Sequence, residues 1–292
     1  IIGDPDQFQP IGPGNPLESL IKSKMFNISK LINIYRQEHN TNLLHIIQKL
    51  TKEEKITDED FNKDESAIFI DISNLYKDFK YHEILKNFIY KIIKDYSLSK
   101  DTKFLCYNTN DENKDGTKKF IFNVPLLNKI IQDNFNPISK ALKNDSIKST
   151  NIFDKREFRI NDKIIRTEND YSDEKKMRAN GEEGYIRDFD GEYVTICYSD
   201  DDKPLTIYIN TLFEEFDLNY TTGFHKSQGG GWPTIVVFIE PNVQFIKQRA
   251  IYTSISRSQQ KLIFISTPTD LLNCQNPEDE RISLFMNKIH LD

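Results

Sequence analysis

Two short runs built wholly of large apolar residues, Ile235-Val236-Val237-Phe238-Ile239 and Leu262-Ile263-Phe264-Ile265, constrain the fold of this chain more than any other feature. A strand that alternates apolar and polar side chains keeps one face in water. These runs have no polar face to offer, so they belong inside a parallel sheet covered on both sides. A parallel sheet needs crossover helices, and the chain supplies them. Leu43, Leu44, Ile47 and Leu50 recur at helical spacing in residues 40–50, as do Ile84, Leu85, Phe88, Ile89, Ile92 and Ile93 in residues 81–96. A third stretch, residues 124–134, carries Leu126, Leu127, Ile130 and Ile131 and ends near Asn136-Pro137. The short apolar run Lys103-Phe104-Leu105-Cys106-Tyr107 lies between the last two. Strand and helix in alternation predict the α/β class.

From Phe158 the period changes from helical to alternating. Phe158-Arg159-Ile160, Lys163-Ile164-Ile165-Arg166, Gly184-Tyr185-Ile186, Tyr193-Val194-Thr195-Ile196-Cys197-Tyr198 and Leu205-Thr206-Ile207-Tyr208-Ile209 read as short strands. Turn residues separate them, at Asn180-Gly181, Asp190-Gly191 and Asp200-Asp201-Asp202. This pattern predicts a small barrel inserted into the α/β domain, whose character resumes afterwards. At the start of the chain an apolar strand end at Ile1-Ile2 is expected to meet a turn at Ile11-Gly12-Pro13-Gly14-Asn15-Pro16, with a short helix from Leu17. Residues 28–36 read as a strand entering Arg36. Residues 51–66, charged and poor in large apolar side chains, read as a solvent-side connection with room for a short helix.

Composition narrows the class of function. With 292 residues, 37% hydrophobic and 29% charged, and 20 Phe and 13 Tyr, there is material for two packed domains and too much of it for disorder. No apolar run approaches the roughly 20 residues that cross a bilayer, so no membrane role is expected. Cys106, Cys197 and Cys274 are far apart, and the five histidines are scattered, so neither disulfide framework nor zinc site is expected. A reducing, intracellular setting fits, whether cytoplasm, nucleus or a viral replication site. The net charge of −6 argues against a protein that coats nucleic acid, while leaving room for a narrow basic track.

Four strings carry chemistry. In Gly3-Asp4-Pro5-Asp6-Gln7-Phe8-Gln9-Pro10, an apolar strand end delivers two acids and an amide to a loop of the kind where open α/β sheets bind ligands. Arg36, after Leu31-Ile32-Asn33-Ile34-Tyr35, offers a permanently charged fork suited to phosphate. Arg257 closes Tyr252-Thr253-Ser254-Ile255-Ser256-Arg257, just before a buried-type strand. The densest string runs from Asn219 through Tyr220-Thr221-Thr222-Gly223-Phe224-His225-Lys226-Ser227-Gln228-Gly229-Gly230-Gly231 to Trp232-Pro233. Its hydroxyls, lysine and glycine amides suit a strand of phosphates. Trp232 reads as packing more readily than as a base-stacking ring. The acids Glu53, Glu54, Asp58, Glu59 and Asp60 read as a solvated face, and Asp111, Glu112 and Asp115 as part of a turn with Asn110 and Gly116. No nucleophile elbow or Cys-His pairing supports a hydrolase of another class.

Taken in order, these strings resemble the third, fourth, sixth and fifth motifs of RecD-like superfamily 1B DNA helicases, over nearly the whole chain. The resemblance implies a RecA-like motor domain of the P-loop NTPase type carrying an inserted SH3-like β-barrel, which Asn161-Asp162-Lys163-Ile164-Ile165-Arg166 and Asn180-Gly181 would enter. Residues 1–27 would be the remnant of a first RecA-like domain, 28–157 and 219–292 the two parts of a second, and 158–218 the barrel. Gln7 would sense the γ-phosphate, Arg36 would touch it and Arg257 would be the arginine finger, with Gly229 also at the nucleotide. Thr222, His225, Lys226, Ser227 and Gln228 would contact DNA, as would Asn108 and Asn128 in a segment that echoes the family between its fourth and fifth motifs. The implied cofactors are ATP and magnesium, and the implied partners are single-stranded DNA, or a duplex with a 5′ overhang, and a first motor domain upstream.

No Gly-Lys-Ser/Thr phosphate loop occurs in the chain. The resemblance therefore implies the C-terminal half of a 5′ to 3′ helicase that does not hydrolyse ATP by itself. Gly223 stands where the family has a threonine, and Gly230-Gly231 where it has Ser-Glu. Those changes leave a second reading open, a nucleic-acid binding or assembly module without ATPase. The motor part of a relaxase-helicase fusion is a third.

Overall fold

The computed structural model describes residues 2–9, 14–31, 36–37, 41–109, 120–138, 146–148, 156–169, 179–198, 203–242 and 246–276. Along the chain run α1 (Pro16–Ser23), α2 (Asn42–Thr51), β1 (Ala67–Asp71), α3 (His82–Asp95), β2 (Lys103–Cys106), α4 (Val124–Phe135), β3 (Ser146–Lys148), β4 (Glu157–Arg159), β5 (Lys163–Arg166), β6 (Glu183–Asp190), β7 (Tyr193–Tyr198), β8 (Leu205–Tyr208), α5 (Ile209–Glu215), β9 (Phe216–Leu218), β10 (Thr221–Gly223), β11 (Trp232–Phe238), α6 (Gln248–Ile255), β12 (Ser258–Ser266) and α7 (Pro268–Asn273). They form two compact units. The first comprises Ile1–Lys77, Leu105–Tyr107 and Gly223–Asp292; the second comprises Asp78–Phe104 and Asn108–Thr222.

The first unit is built on the parallel strands that the two apolar runs predict. β12 lies between β1 and β11, with Ile263 level with Ile68 on one side and Val236 on the other. β2 follows β11 in the strand order. Ile235, Val237, Leu262 and Phe264 share one buried cluster with Leu43 and Ile47 of α2 and Ile251 and Ile255 of α6. Each such side chain, removed from water, stabilises the fold by roughly 1.5–3 kcal/mol. The helices start where local chemistry allows it. Thr41 caps α2 by accepting from the Leu44 N–H at 3.3 Å, and Thr267 caps α7 from the Asp270 N–H at 3.1 Å, with Pro268 in the first turn.

Two expectations for this unit change. Residues 2–9 form no strand, because Asp4 turns the backbone back on itself: its Oδ1 accepts from the Asp6 N–H at 3.0 Å and its carbonyl from the Gln7 N–H at 3.4 Å. Pro5 between them has no N–H to give to a ladder. Residues 28–31 are likewise outside any ladder, with Leu31 95% exposed, and Ile32 to Tyr35 lie outside the described residues. The turn expected at Asp111, Glu112, Asp115 and Gly116 also lies outside them, while the short helix expected in 51–66 is a single turn at Asp58–Asp60.

In the second unit α3 and α4 bury Leu85, Ile89 and Ile92 and Leu127, Ile130 and Ile131. Beside them is an antiparallel sheet in the order β8-β7-β6-β5-β9. Alternation sorts its side chains, with Ile186, Val194 and Ile196 buried and Tyr185, Tyr193 and Tyr208 exposed. Here the strand set differs from the expected one. β4 leaves the group and pairs with β3, and β9, a three-residue strand with no sequence signature, takes the place beside β5. The cause is the tight corner after β4, where Asn161 adopts φ 67° and Asp162 returns its N–H to the Arg159 carbonyl at 3.0 Å. Asp162, fully buried, anchors that corner by accepting from Gln132 Nε2 at 2.6 Å, Asn136 Nδ2 at 2.7 Å, the Tyr220 hydroxyl at 2.9 Å and the Arg159 N–H at 2.7 Å. Burial holds its carboxyl above the usual range in spite of those bonds.

Candidate functional site

Within the first unit, α6 ends at Ile255 and the chain passes through Ser256 and Arg257 into β12. This short passage collects the residues that the sequence singles out at its two ends. Arg257 Nη2 donates to Gln7 Oε1 at 2.6 Å, and Gln7 Nε2 donates to Asp4 Oδ2 at 2.9 Å. One turn back on α6, the Tyr252 hydroxyl donates to the same Asp4 oxygen at 3.4 Å, and Thr253 Oγ1 accepts from the Phe8 N–H at 3.2 Å. The Asp4 to Phe8 loop is thereby fastened to one face of α6 and to its exit.

Arg36 and Gln37 approach the same passage. Arg36 Nη1 donates to the Ser256 carbonyl at 2.9 Å, and Gln37 Nε2 to the carbonyls of Ser256 at 3.3 Å and Ser258 at 2.6 Å. Arg257 is 3% exposed and its Nε has no partner among the described residues. Burial, and next the charge of Arg36, push its guanidinium below the ordinary arginine value, yet a group that starts so high stays charged. Among the described residues no carboxylate forms an ion pair with Arg36 or Arg257. Two neighbouring cations and an amide, with Asp4 reaching Arg257 only through Gln7 and by its field, make a site suited to an anion with several oxygens. Asp6, partly buried beside Asp4, has its carboxyl raised by burial first and by that neighbouring charge second.

The glycine-rich string lies on the other side of Arg257, whose Nη1 donates to the Gly230 carbonyl at 3.4 Å. His225–Ser227 form a single tight turn, with His225, Lys226, Gln228 and Gly229 exposed. Ser227 is turned inward, its hydroxyl donating to the Phe224 carbonyl at 2.7 Å. Gly229 sits at φ 91°, a conformation that needs glycine. Gly230 needs to be glycine for another reason: a Cβ there would lie 2.3 Å from the Trp232 ring. Trp232 thus packs over the string, as its sequence context suggests. The His225 ring stacks on Phe8 with centroids 3.8 Å apart and 20° between planes, and Tyr107 meets it edge-on at 6.2 Å.

The structure therefore brings together Gln7, Arg36, Arg257 and, through Phe8, His225. Thr222, Asn108 and Asn128 belong to the second unit and are buried. Asn128 is committed to backbone: Nδ2 donates to the carbonyls of Leu218 at 3.0 Å and Thr221 at 3.2 Å, and Oδ1 accepts from the Thr221 N–H at 2.7 Å. Asn108 Nδ2 donates to the Phe122 carbonyl at 3.4 Å. Both asparagines hold the backbone around them. Phe8 and Tyr252, inside the quoted strings, and Gln37 and Tyr107, beside Arg36 and at the end of an apolar run, join the site although nothing in the sequence assigns them a role in it.

No family model matches the chain. Among solved structures it is similar to the Pif1 helicase from Bacteroides in complex with ADP-AlF3 and ssDNA, at 15% identity and a TM-score of 0.52, covering 94% of this chain and 63% of that one. It also matches the Pif1 helicase from Candida albicans, at 14% identity and TM-score 0.49, covering 98% of this chain and 67% of that one. Bacteroides Pif1 bound to ssDNA matches at 13% identity and TM-score 0.47, over 98% and 62%. The chain thus spans about two thirds of the length of these structures. Its parallel central sheet with flanking helices is the fold of a RecA-like helicase motor domain.

Proposed function

We propose that this chain is the C-terminal motor half of an ATP-dependent, superfamily 1B DNA helicase that moves 5′ to 3′ on single-stranded DNA. The observation that carries the reading is the hydrogen bond from Arg257 to Gln7, which joins an arginine and an amide suited to a terminal phosphate. The motifs favour the RecD-like group, and a solved structure with a similar fold is a Pif1 helicase described with ADP-AlF3 and ssDNA. On the same reading the antiparallel sheet is the SH3-like insertion at 158–218, and residues 1–27 belong to the first motor domain.

The residues present fit part of a nucleotide. Among the described residues Arg36 and Arg257 form no ion pair with a carboxylate and the buried Arg257 Nε has no partner, which suits both to phosphate oxygens. When bound, ATP supplies the phosphoryl group whose transfer drives the motor. Gln7 orients donors at that end of the site, and Arg257 places fixed positive charge where negative charge develops. The magnesium and the inner phosphates need a Gly-Lys-Ser/Thr loop and an acidic pair, which an upstream motor domain would contribute. Exposed His225, Lys226 and Gln228 would face DNA, a 5′ overhang being the natural entry.

One observation favours the second reading, a nucleic-acid binding or assembly module without ATPase. The Trp232 ring occupies the space that a serine at 230 would need. DNA-stimulated ATP hydrolysis by the protein extended upstream, with and without Arg257→Ala, separates the two. Loss of an arginine finger costs about 10³–10⁵ in turnover. Unchanged turnover refutes the finger, and absence of turnover in the unaltered extended protein supports the module.

A further inference from the structure

One face of the second unit's antiparallel sheet is aromatic, exposed and rimmed by acids. Register sets it out in rows across β6, β7 and β8. Asp190 stands opposite Tyr193, and Tyr193 opposite Tyr208; in the next row Asp188 stands opposite Thr195 and Thr195 opposite Thr206; then Tyr185 stands opposite Cys197. Paired residues project to the same side of a sheet, so these side chains share one surface. Tyr185, Tyr193 and Tyr208 are 44%, 43% and 56% exposed, too much for rings that serve only to pack. Tyr193 and Tyr208 lie with ring centroids 4.7 Å apart and their hydroxyls 3.1 Å apart, a paired platform. Beside it stand the exposed acids Asp188, Asp190 and Glu192, with Arg187 the one cation on β6. Among the described residues none of these three acids forms an ion pair.

We infer that this face docks a basic, arginine-rich protein segment. Ring faces attract guanidinium groups, and the neighbouring carboxylates accept their hydrogen bonds. A phosphate backbone meets the opposite condition, since three acids at the rim repel it. The outer edge of β8 is the end of the sheet order among the described residues, so an extended peptide can also add to it as a strand. This surface is independent of the nucleotide-site reading.

The test is fluorescence anisotropy of a labelled arginine-glycine decapeptide titrated with the full chain, and of a labelled oligo-dT in parallel. Two exposed cation–π contacts correspond to roughly tenfold in affinity, so Tyr193→Ala with Tyr208→Ala should weaken the peptide about tenfold. The double Tyr→Phe variant should keep most of the affinity, and D188N/D190N/E192Q should lower it and flatten its salt dependence. The variant E53Q/E54Q/E59Q, which removes exposed acids of the first unit, should leave it unchanged. Thermal melting of each variant reports whether the sheet is intact. An equal loss in the first-unit variant would make the effect general electrostatics and overturn the inference. So would tyrosine variants that bind peptide normally, or that lose oligo-dT instead.

Discussion

Arg257 and Gln7 are 250 positions apart in sequence, yet Arg257 Nη2 donates to Gln7 Oε1 at 2.6 Å. The amide spans two charged groups, taking a hydrogen bond from the arginine and giving one to Asp4 at 2.9 Å. Glutamate could accept from Arg257 but could not donate to Asp4, so Gln7→Glu sets two carboxylates against each other. In the extended protein we expect turnover to fall by about 10²-fold, the scale for loss of one preorganised donor, with KM for ATP changed less. Steady-state kinetics with saturating DNA decide it, and a variant with full turnover would remove Gln7 from the site.

The Phe8–His225 stack ties the Gln7 loop to the exposed string at 225–229. An aromatic pair of this kind contributes about 0.5–1.5 kcal/mol beyond its buried area, or roughly 2- to 10-fold in an equilibrium. Phe8→Ala should therefore reduce DNA stimulation of ATP hydrolysis by that factor, and Phe8→Trp should largely preserve it. Stimulation measured against oligo-dT length and concentration is the readout.

Gly230→Ser, which introduces the residue found at this place in the helicases that the motif resembles, should destabilise this chain. The new Cβ falls 2.3 Å from the Trp232 ring, and an overpacked site costs about 1–3 kcal/mol. Trp232 is the single tryptophan, so its emission during urea denaturation reports the site directly. Adding Trp232→Leu should recover most of the loss in a denaturation followed by circular dichroism. A Gly230→Ser midpoint equal to the parent would show that the ring moves freely.

Lys103 is a buried cation in the second unit, donating to Glu183 Oε1 and to the Asn219 carbonyl, each at 3.1 Å. Burial, only partly offset by Glu183, lowers its pKa from 10.5 to about 8. Between those two values the unfolded chain holds a proton that the folded chain has lost, so folding is favoured as pH rises. Relative to Lys103→Met, stability should climb from pH 8 toward 10.5 by up to about 1.4 kcal/mol per pH unit, and the difference should be flat below pH 8. Urea midpoints across that range test it, and a difference that falls with pH would reverse the assignment.

Much of the architecture is legible in the sequence, where the signal is local. Residues 235–238 of the first apolar run lie in β11 and the run 262–265 lies in β12, and β5 and β7 span the residues that alternation picks out. The helices α3 and α4 follow their apolar stripes to within a residue at either end. Where the reading failed, a local signal met a longer-range one. Phe158-Arg159-Ile160 has the alternation of a sheet strand, but the corner anchored on buried Asp162 gives that strand to β3. β9 is three residues long and has no period to detect. At Ile2 to Gln9 the side chain of Asp4 outcompetes extended structure.

The candidate site divides in the same way. Residue type and motif order single out Gln7, Arg36, His225 and Arg257. The same grounds single out Asn108 and Asn128, whose amides the fold turns to backbone carbonyls. Sequence alone determined the parallel sheet, its helices and the identity of the charged and amide groups, because apolar period and donor chemistry are properties of residues a few positions apart. Only the tertiary structure decided that Arg257 holds Gln7, that Phe8 stacks on His225 and that Trp232 requires glycine at 230. Those contacts join segments brought close by burial of the core, and no periodicity along the chain encodes a distance across it.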